Sequence, residues 1–235
     1  MSIIWQKFSN FHLIGLCTIK RIRPLQKQQR DKTKNYKGAG TVMKKIRYGN
    51  TNTFYIDGEK GGLLIDTDYA GTLPQFFKAI KAASIEMNDI SYVLCTHYHP
   101  DHMGIISELQ KLGVTLLIVD VQSSSVHFAD EIFFRDKRLD YKPIDEALAK
   151  MICCENSRNF LCGIGICGEI IHTPSHSEDS VSIILDDGNC IVGDLEPIEY
   201  LAASEQNLKL KNDWEKIMRY HPKRVLYAHA NEKEF

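Results

Sequence analysis

At 235 residues, with 43% hydrophobic and 25% charged side chains, the chain has room for one sizeable domain and the composition of a soluble folded protein. No apolar run approaches the roughly 18 residues that a membrane span requires, so no membrane insertion is expected. Residues 1–42 hold nine Lys/Arg against the single acid Asp31, a net of +8, and with the whole chain at −1 the remaining 193 residues carry −9. Such an acidic body argues against a broad phosphate-binding face, and nucleic acid is not an expected partner.

The basic segment 1–42 has two readings. It is either a targeting or nucleic-acid-binding arm, or a translated leader ahead of a start at Met43, where "MKKIRYGNTNTFYIDG" leads into a first strand. The expected organisation is this extension followed by one domain over 43–235. Seven cysteines, an odd number at untidy spacings, favour free thiols in a reducing compartment, and the cytoplasm is the expected location. A small-molecule substrate is the expected partner, with homo-oligomerisation left open.

In chain order, "TNTFYID" and "GGLLIDTD" read as two strands joined by a turn at Gly58–Gly61. A helix opens at Thr72 with Pro74 in its first turn and apolar Leu73, Phe76, Phe77 and Ile80 on one face. "ISYVLCTH" is a short apolar strand, followed by a helix that begins just after His102, runs through Ile105, Ile106, Leu109 and Leu112, and stops at Gly113. "VTLLIVD" is another buried strand. The pattern weakens over 122–168, where a helix is expected near Ile144–Met151 and Phe128, Phe133, Phe134 and Tyr141 are either pocket wall or core. "EIIHTPSH", "SVSIILDDG" and "NCIVGD" are three strands. Leu210, Trp214, Ile217 and Met218 mark a helix ended by His221-Pro222, and "RVLYAHA" is a last strand. Alternating strands and helices make the class α/β, with helices layered over sheet.

The densest chemistry is "CTHYHPDHMG" at Cys95–Gly104, where a strand runs into a loop and a helix follows. Residues i and i+2 of an extended segment point the same way, so His97 and His99 can share one ion. Asp101 and His102, past the turn at Pro100, can face a second. Imidazole and carboxylate donors suit Zn²⁺, Mn²⁺ or Fe.

"HYHPDH" resembles the HxHxDH signature of the metallo-β-lactamase-fold hydrolases, and further motifs follow in the family's order. These are Asp66 in "LLIDTD", His176 in "HTPSHSEDS", Asp194 in "VGDL" and His229 in "YAHA". The resemblance implies an αβ/βα four-layer sandwich with the site along one edge. It also implies two divalent metal ions, zinc first, with manganese or iron as alternatives. The first ion would take His97, His99 and His176, the second Asp101, His102 and His229, and Asp194 would bridge them. Asp66 would support the metal loop through hydrogen bonds rather than ligate.

The chemistry implied is hydrolysis by a hydroxide shared between the ions, with Asp101 also orienting the nucleophile as the catalytic carboxylate. No GxSxG elbow is present to suggest a side-chain nucleophile. Asp194 stands where class B β-lactamases carry cysteine, so β-lactam hydrolysis is not expected. Only six residues follow His229, so a counterpart of the glutathione-binding helical domain of glyoxalase II, and with it a glutathione thioester substrate, is not expected. Ser175 replaces the glycine of the common TPGH, a restriction if that turn needs positive φ.

The favoured substrate is therefore a small ester, lactone or thioester. The alternatives are a phosphodiesterase or nuclease on the same two ions, and a mononuclear iron oxygenase of the persulfide dioxygenase type. Of the remaining histidines, His172 is expected to bond locally, His221 to bond carbonyls at a helix end, and His127 to lie on the surface. Glu178 and Asp179 are expected to shape the loop after His176, and no substrate-binding residue is assigned.

Overall fold

The computed structural model describes residues 42–202 and 206–235; the basic extension, apart from Val42, lies outside the described residues. A six-stranded sheet begins with an antiparallel meander of β1 (Met43–Arg47), β2 (Asn52–Ile56) and β3 (Gly62–Ile65). It continues in parallel through β4 (Ile90–Leu94), β5 (Thr115–Val119) and β6 (Ala149–Ile152). A five-stranded sheet is built from β7 (Gly168–His172), β8 (Val181–Leu185), β9 (Asn189–Ile191), β10 (Arg224–Leu226) and β11 (Lys233–Glu234), in the spatial order β11-β10-β9-β8-β7. Only β9 and β10 are parallel within it.

Three apolar clusters show how the layers stack. Phe54, Ile56, Leu63, Ile65, Leu94 and Leu117 from the first sheet meet Ile170, Val181, Ile183 and Leu226 from the second, forming the layer between the sheets. On the outer face of the first sheet, Tyr55, Leu64, Val93 and Leu116 pack on Phe76 and Ile80 of α1 (Leu73–Ala82) and Ile106 and Leu109 of α3 (Ile106–Lys111). On the outer face of the second, Ile184, Val225 and Tyr227 pack on Leu210, Trp214 and Ile217 of the last helix, Leu208–Met218. The result is helix, sheet, sheet, helix. Because β2, β3 and β8 are covered on both faces, all of their residues are buried, and they read as largely apolar runs broken only by Asn52, Thr53 and Ser182 rather than as alternating ones.

Two sequence expectations are corrected. Ile144–Met151 is not a helix: a short 3₁₀ turn at Glu146–Leu148 leads directly into β6, which pairs in parallel with β5. The pairing groups that β5 presents on that side outweigh the local helical spacing, and Leu148 and Met151 remain exposed. The helix after the metal motif also starts earlier. The one-turn α2 (Pro100–Met103) begins at Pro100, whose fixed φ suits a first helical position, so Asp101 and His102 lie inside it; α3 follows after a break at Gly104 and Ile105.

The weak stretch 122–168 holds two further short helices, α4 (Asp130–Phe134) and α5 (Ser157–Gly163), with the last helix then being α6. Phe133 is core and Tyr141 packs on it, whereas Phe128 and Phe134 are exposed. Among the described residues no helix is long and apolar enough to cross a membrane.

Phe54 is fully buried between the sheets. Phe54→Ala is expected to lower stability by about 3–5 kcal/mol in urea unfolding, against less than about 1 kcal/mol for Leu148→Ala on the exposed turn.

Candidate metal centre

The site lies where strand ends converge. β3 runs into Asp66, β4 into Cys95–His99, β9 into Asp194 and β10 into His229, while His176 stands in the β7–β8 connection. These elements bring all seven predicted ligand residues together. His97, His99 and His176 offer nitrogens within 4.8 Å of one another, and so do the nitrogens and carboxylate oxygen of Asp101, His102 and His229.

Asp194 stands between the groups. Its Oδ2 lies 3.8 Å from His97 Nε2, 3.7 Å from His176 Nε2 and 3.3 Å from His102 Nε2, and its Oδ1 lies 3.4 Å from His229 Nε2. His97 Nε2, His102 Nε2 and Asp194 Oδ1 are buried and have no well-aligned hydrogen-bond partner. Buried polar atoms left this way are costly unless something else satisfies them. Three of them converging, all good donors to a cation, fit a metal centre.

The tautomers follow from what stands behind the histidines. Asp66 accepts the Thr96 N–H at 2.6 Å and the Thr96 hydroxyl at 2.8 Å, and its Oδ2 faces His102 Nδ1 at 3.1 Å. His102 therefore carries its proton on Nδ1 and turns Nε2 to the centre. With its own proton committed to Asp66, the Thr96 hydroxyl accepts from His97 Nδ1 at 3.2 Å, which turns His97 Nε2 inward as well. Asp66 thus stands behind the converging nitrogens and sets which of them face the centre. It adopts φ 59°, a left-handed conformation uncommon outside glycine that aspartate tolerates better than most residues.

Charge is balanced locally. Burial, followed by the surrounding imidazoles, keeps His97 well below its ordinary pKa, so its ring is neutral near pH 7 and open to a cation. A hydrogen bond from His229 holds Asp101 down to about 2, and the same contact raises His229. Burial opposes the charge on Asp194, but His102, His229 and His176 hold its carboxyl below the usual value. Both carboxylates are ionised at neutral pH.

Asp179, expected to shape its loop, does so, and with Gln122, Thr51 and Asn52, which the sequence did not single out, it fixes the loops to one another. Asp179 Oδ2 accepts the Tyr98 N–H at 2.7 Å and its Oδ1 accepts from Ser177, joining the His97–His99 loop to the His176 loop. Fully buried Gln122 donates to Cys95 O at 2.9 Å and Asp179 O at 3.1 Å. Thr51 donates to Asp101 O at 2.8 Å, and Asn52 to Tyr227 O at 2.9 Å beside His229.

Asp213, on α6, accepts the Ser175 N–H at 2.7 Å next to His176. A signal for it existed: an acid among Leu210, Trp214 and Ile217 on the apolar helix face. Ser175 itself does not have positive φ, so serine is not strained in that turn. Gly193 does, at 58°, and a Cβ there would collide with the Thr96 side chain. The other histidines stand apart: His172 Nε2–H donates to Glu178 O at 2.8 Å, and His127 is exposed. At His221 the backbone N–H, not the imidazole, bonds Met218 O.

A family model described as the metallo-beta-lactamase superfamily matches residues 46–229. The chain belongs to the metallo-β-lactamase superfamily. Within this superfamily of metallohydrolases it is 26% identical over 182 residues, 77% of its length, to a Drosophila melanogaster beta-lactamase-like protein 2 homolog. It is 27% identical over 145 residues to an atrochrysone carboxyl ACP thioesterase of Aspergillus fumigatus, matching 60% of the chain. The matched stretches span 59% and 28% of those relatives' own lengths.

Among solved structures, a candidate metallo-β-lactamase of Thermotoga maritima superimposes with a TM-score of 0.60 at 18% identity, over 82% of this chain and 98% of that one. The class B3 di-zinc metallo-β-lactamase LRA-12 from an Alaskan soil metagenome gives a TM-score of 0.53 at 16% identity, over 79% and 78%. At these identities the likeness carries the fold, a superfamily sandwich of two sheets between helices.

Asp66→Asn keeps the shape and the left-handed preference but removes the charge behind His102. Zinc affinity, read by competition with a chromophoric chelator, is expected to fall about 10- to 100-fold with the fold intact; unchanged affinity would refute the orienting role.

Proposed function

We propose that this protein is a binuclear metallohydrolase that acts on a small ester, lactone or thioester. The observation that carries the reading is the position of Asp194, within 4 Å of nitrogens from both three-residue groups, with unpartnered buried ligand atoms around it. His97, His99 and His176 would hold one divalent ion, Asp101, His102 and His229 the other, and Asp194 both. The donors suit zinc, with manganese or iron as alternatives. When bound, such ions lower the pKa of water towards neutrality and polarise a substrate oxygen.

The chain's own residues do the rest. Asp101, ionised and held by His229 at 3.1 Å, has a side chain 38% exposed at the mouth of the site. From there its carboxylate accepts a hydrogen bond from the attacking water and sets its direction, which makes it the catalytic carboxylate. His97 and His102, clamped through Thr96 and Asp66, keep the donor set fixed as charge shifts in the reaction, so little reorganisation is needed. The thioesterase relative supports acyl substrates, and the di-zinc structural neighbour supports two ions. Free thiols at all six described cysteines fit a reducing cytoplasm, and a small molecule is the proposed partner.

The test is a panel of esters, lactones and thioesters beside a phosphodiester, run on the full chain loaded separately with zinc, manganese and iron, with metal counted by emission spectrometry. Two ions per chain and acyl turnover that falls to background in the His97→Ala/Asp194→Ala variant are expected. Phosphodiester turnover alone, or one iron per chain with oxygen uptake, would overturn the acyl reading.

A further inference from the structure

The segment after β5 is fixed to the loop that carries His97 and His99 at several points. Gln122 bonds Cys95 O and Asp179 O, while Val126, Ala129 and Phe133 are buried in the same cluster as Tyr98, the residue between His97 and His99. His127 is held at both ring nitrogens, Nδ1 at 2.9 Å from Asp130 and Nε2 at 3.1 Å from Glu146. The Phe128 N–H donates to Ser125 O at 2.8 Å. Amid these anchored neighbours the Phe128 ring is turned outward, 58% exposed, with its centroid 5.4 Å from that of His99 and the planes 37° apart. A phenylalanine left in water forgoes most of its hydrophobic stabilisation, and Phe133, five residues on, takes the inward position instead.

On the far side of the centre the surroundings are polar: His229 Nδ1 lies 3.2 Å from Asn50 O, and Asp101 is half-exposed. Among the described residues, Phe128 beside His99 is the one aromatic ring other than histidine that lies against the seven candidate ligand residues. We infer that Phe128 is a specificity-determining residue that receives a hydrocarbon acyl chain attached to the carbonyl under attack. The inference rests on the acyl-hydrolase reading and narrows it to substrates with an apolar acyl part. An aromatic base would also stack on this ring, but the −9 charge of residues 43–235 disfavours a polyanion.

The test is equilibrium binding of the straight-chain carboxylates from acetate to octanoate to the zinc-loaded full chain, by calorimetry, with adenosine monophosphate as the competing class. Affinity is expected to rise about two- to fourfold per methylene up to hexanoate, the upper bound being that for a fully buried CH₂. Phe128→Ala should flatten that rise to below about 1.5-fold per methylene, and Phe128→Leu, still apolar, should retain most of it, with zinc content equal in all three proteins. Equal binding of acetate and hexanoate by the wild type, an undiminished slope in Phe128→Ala, or loss of nucleotide rather than acyl binding in that variant would each overturn the inference. Thioesters of the same chain lengths, assayed alongside, separate the two claims. A slope in binding without turnover refutes the hydrolase and leaves the Phe128 contact standing; turnover without a slope does the reverse.

Discussion

Asp66 is a fully buried carboxylate, and the order of the centre depends on what neutralises it. An isolated buried charge is strongly unfavourable, and this one is held by two hydrogen bonds from Thr96 and by the His102 ring. Each partner is thereby committed. Thr96 gives up its only hydroxyl proton and turns to His97 as an acceptor, and His102 places its proton away from the centre. One carboxylate behind the ligands thus decides which nitrogen two histidines present. The cost is local backbone strain at Asp66, offset by the hydrogen bond from its own N–H to Leu94 O across the β3–β4 pair.

The candidate ligands come from four places in the chain, and a site so assembled is only as precise as the ties between its loops. Those ties are short polar side chains reaching backbone: Asp179 to Tyr98, Gln122 to Cys95, Thr51 to Asp101, Asn52 to Tyr227 and Asp213 to Ser175. Each satisfies a buried backbone group that the irregular loops leave without a ladder partner. The same bonds that make the loops tolerable in the interior therefore hold the histidines in register. Gly104 serves that end sterically, since a Cβ there would meet the backbone of Asp68–Ala70, which passes against α2.

The surroundings of the centre are asymmetric. The end formed by His97, His99 and His176 has an aromatic ring beside it, while the end formed by Asp101, His102 and His229 is bordered by backbone oxygen and exposed carboxylate. Electrostatics is shared across both ends by Asp194, whose carboxylate is held ionised by imidazoles from each. Among the described residues the centre is therefore polar in the middle, with the Phe128 ring at its His99 end.

Much of this was legible in the sequence. HxHxDH, Asp66, His176, Asp194 and His229 occur in order because metal chemistry restricts the residue types, and strand-end spacing restricts where they fall. The central strands were legible too, since residues covered on both faces are mostly apolar. What the sequence did not disclose depended on partners distant along the chain. β6 looks helical until β5 offers it an unpaired edge, and Asp213 looks like a surface acid until Ser175 arrives 38 residues away in the chain. Phe128, Phe133, Phe134 and Tyr141 are indistinguishable by type, and only packing against Tyr98 and its neighbours decides which are core. Local pattern determined the ligands and the layers, because coordination chemistry and burial act residue by residue. Tautomers, loop ties and the face shown to a substrate were decided by the tertiary structure, because hydrogen bonds and exposure belong to pairs that the chain brings together only when folded.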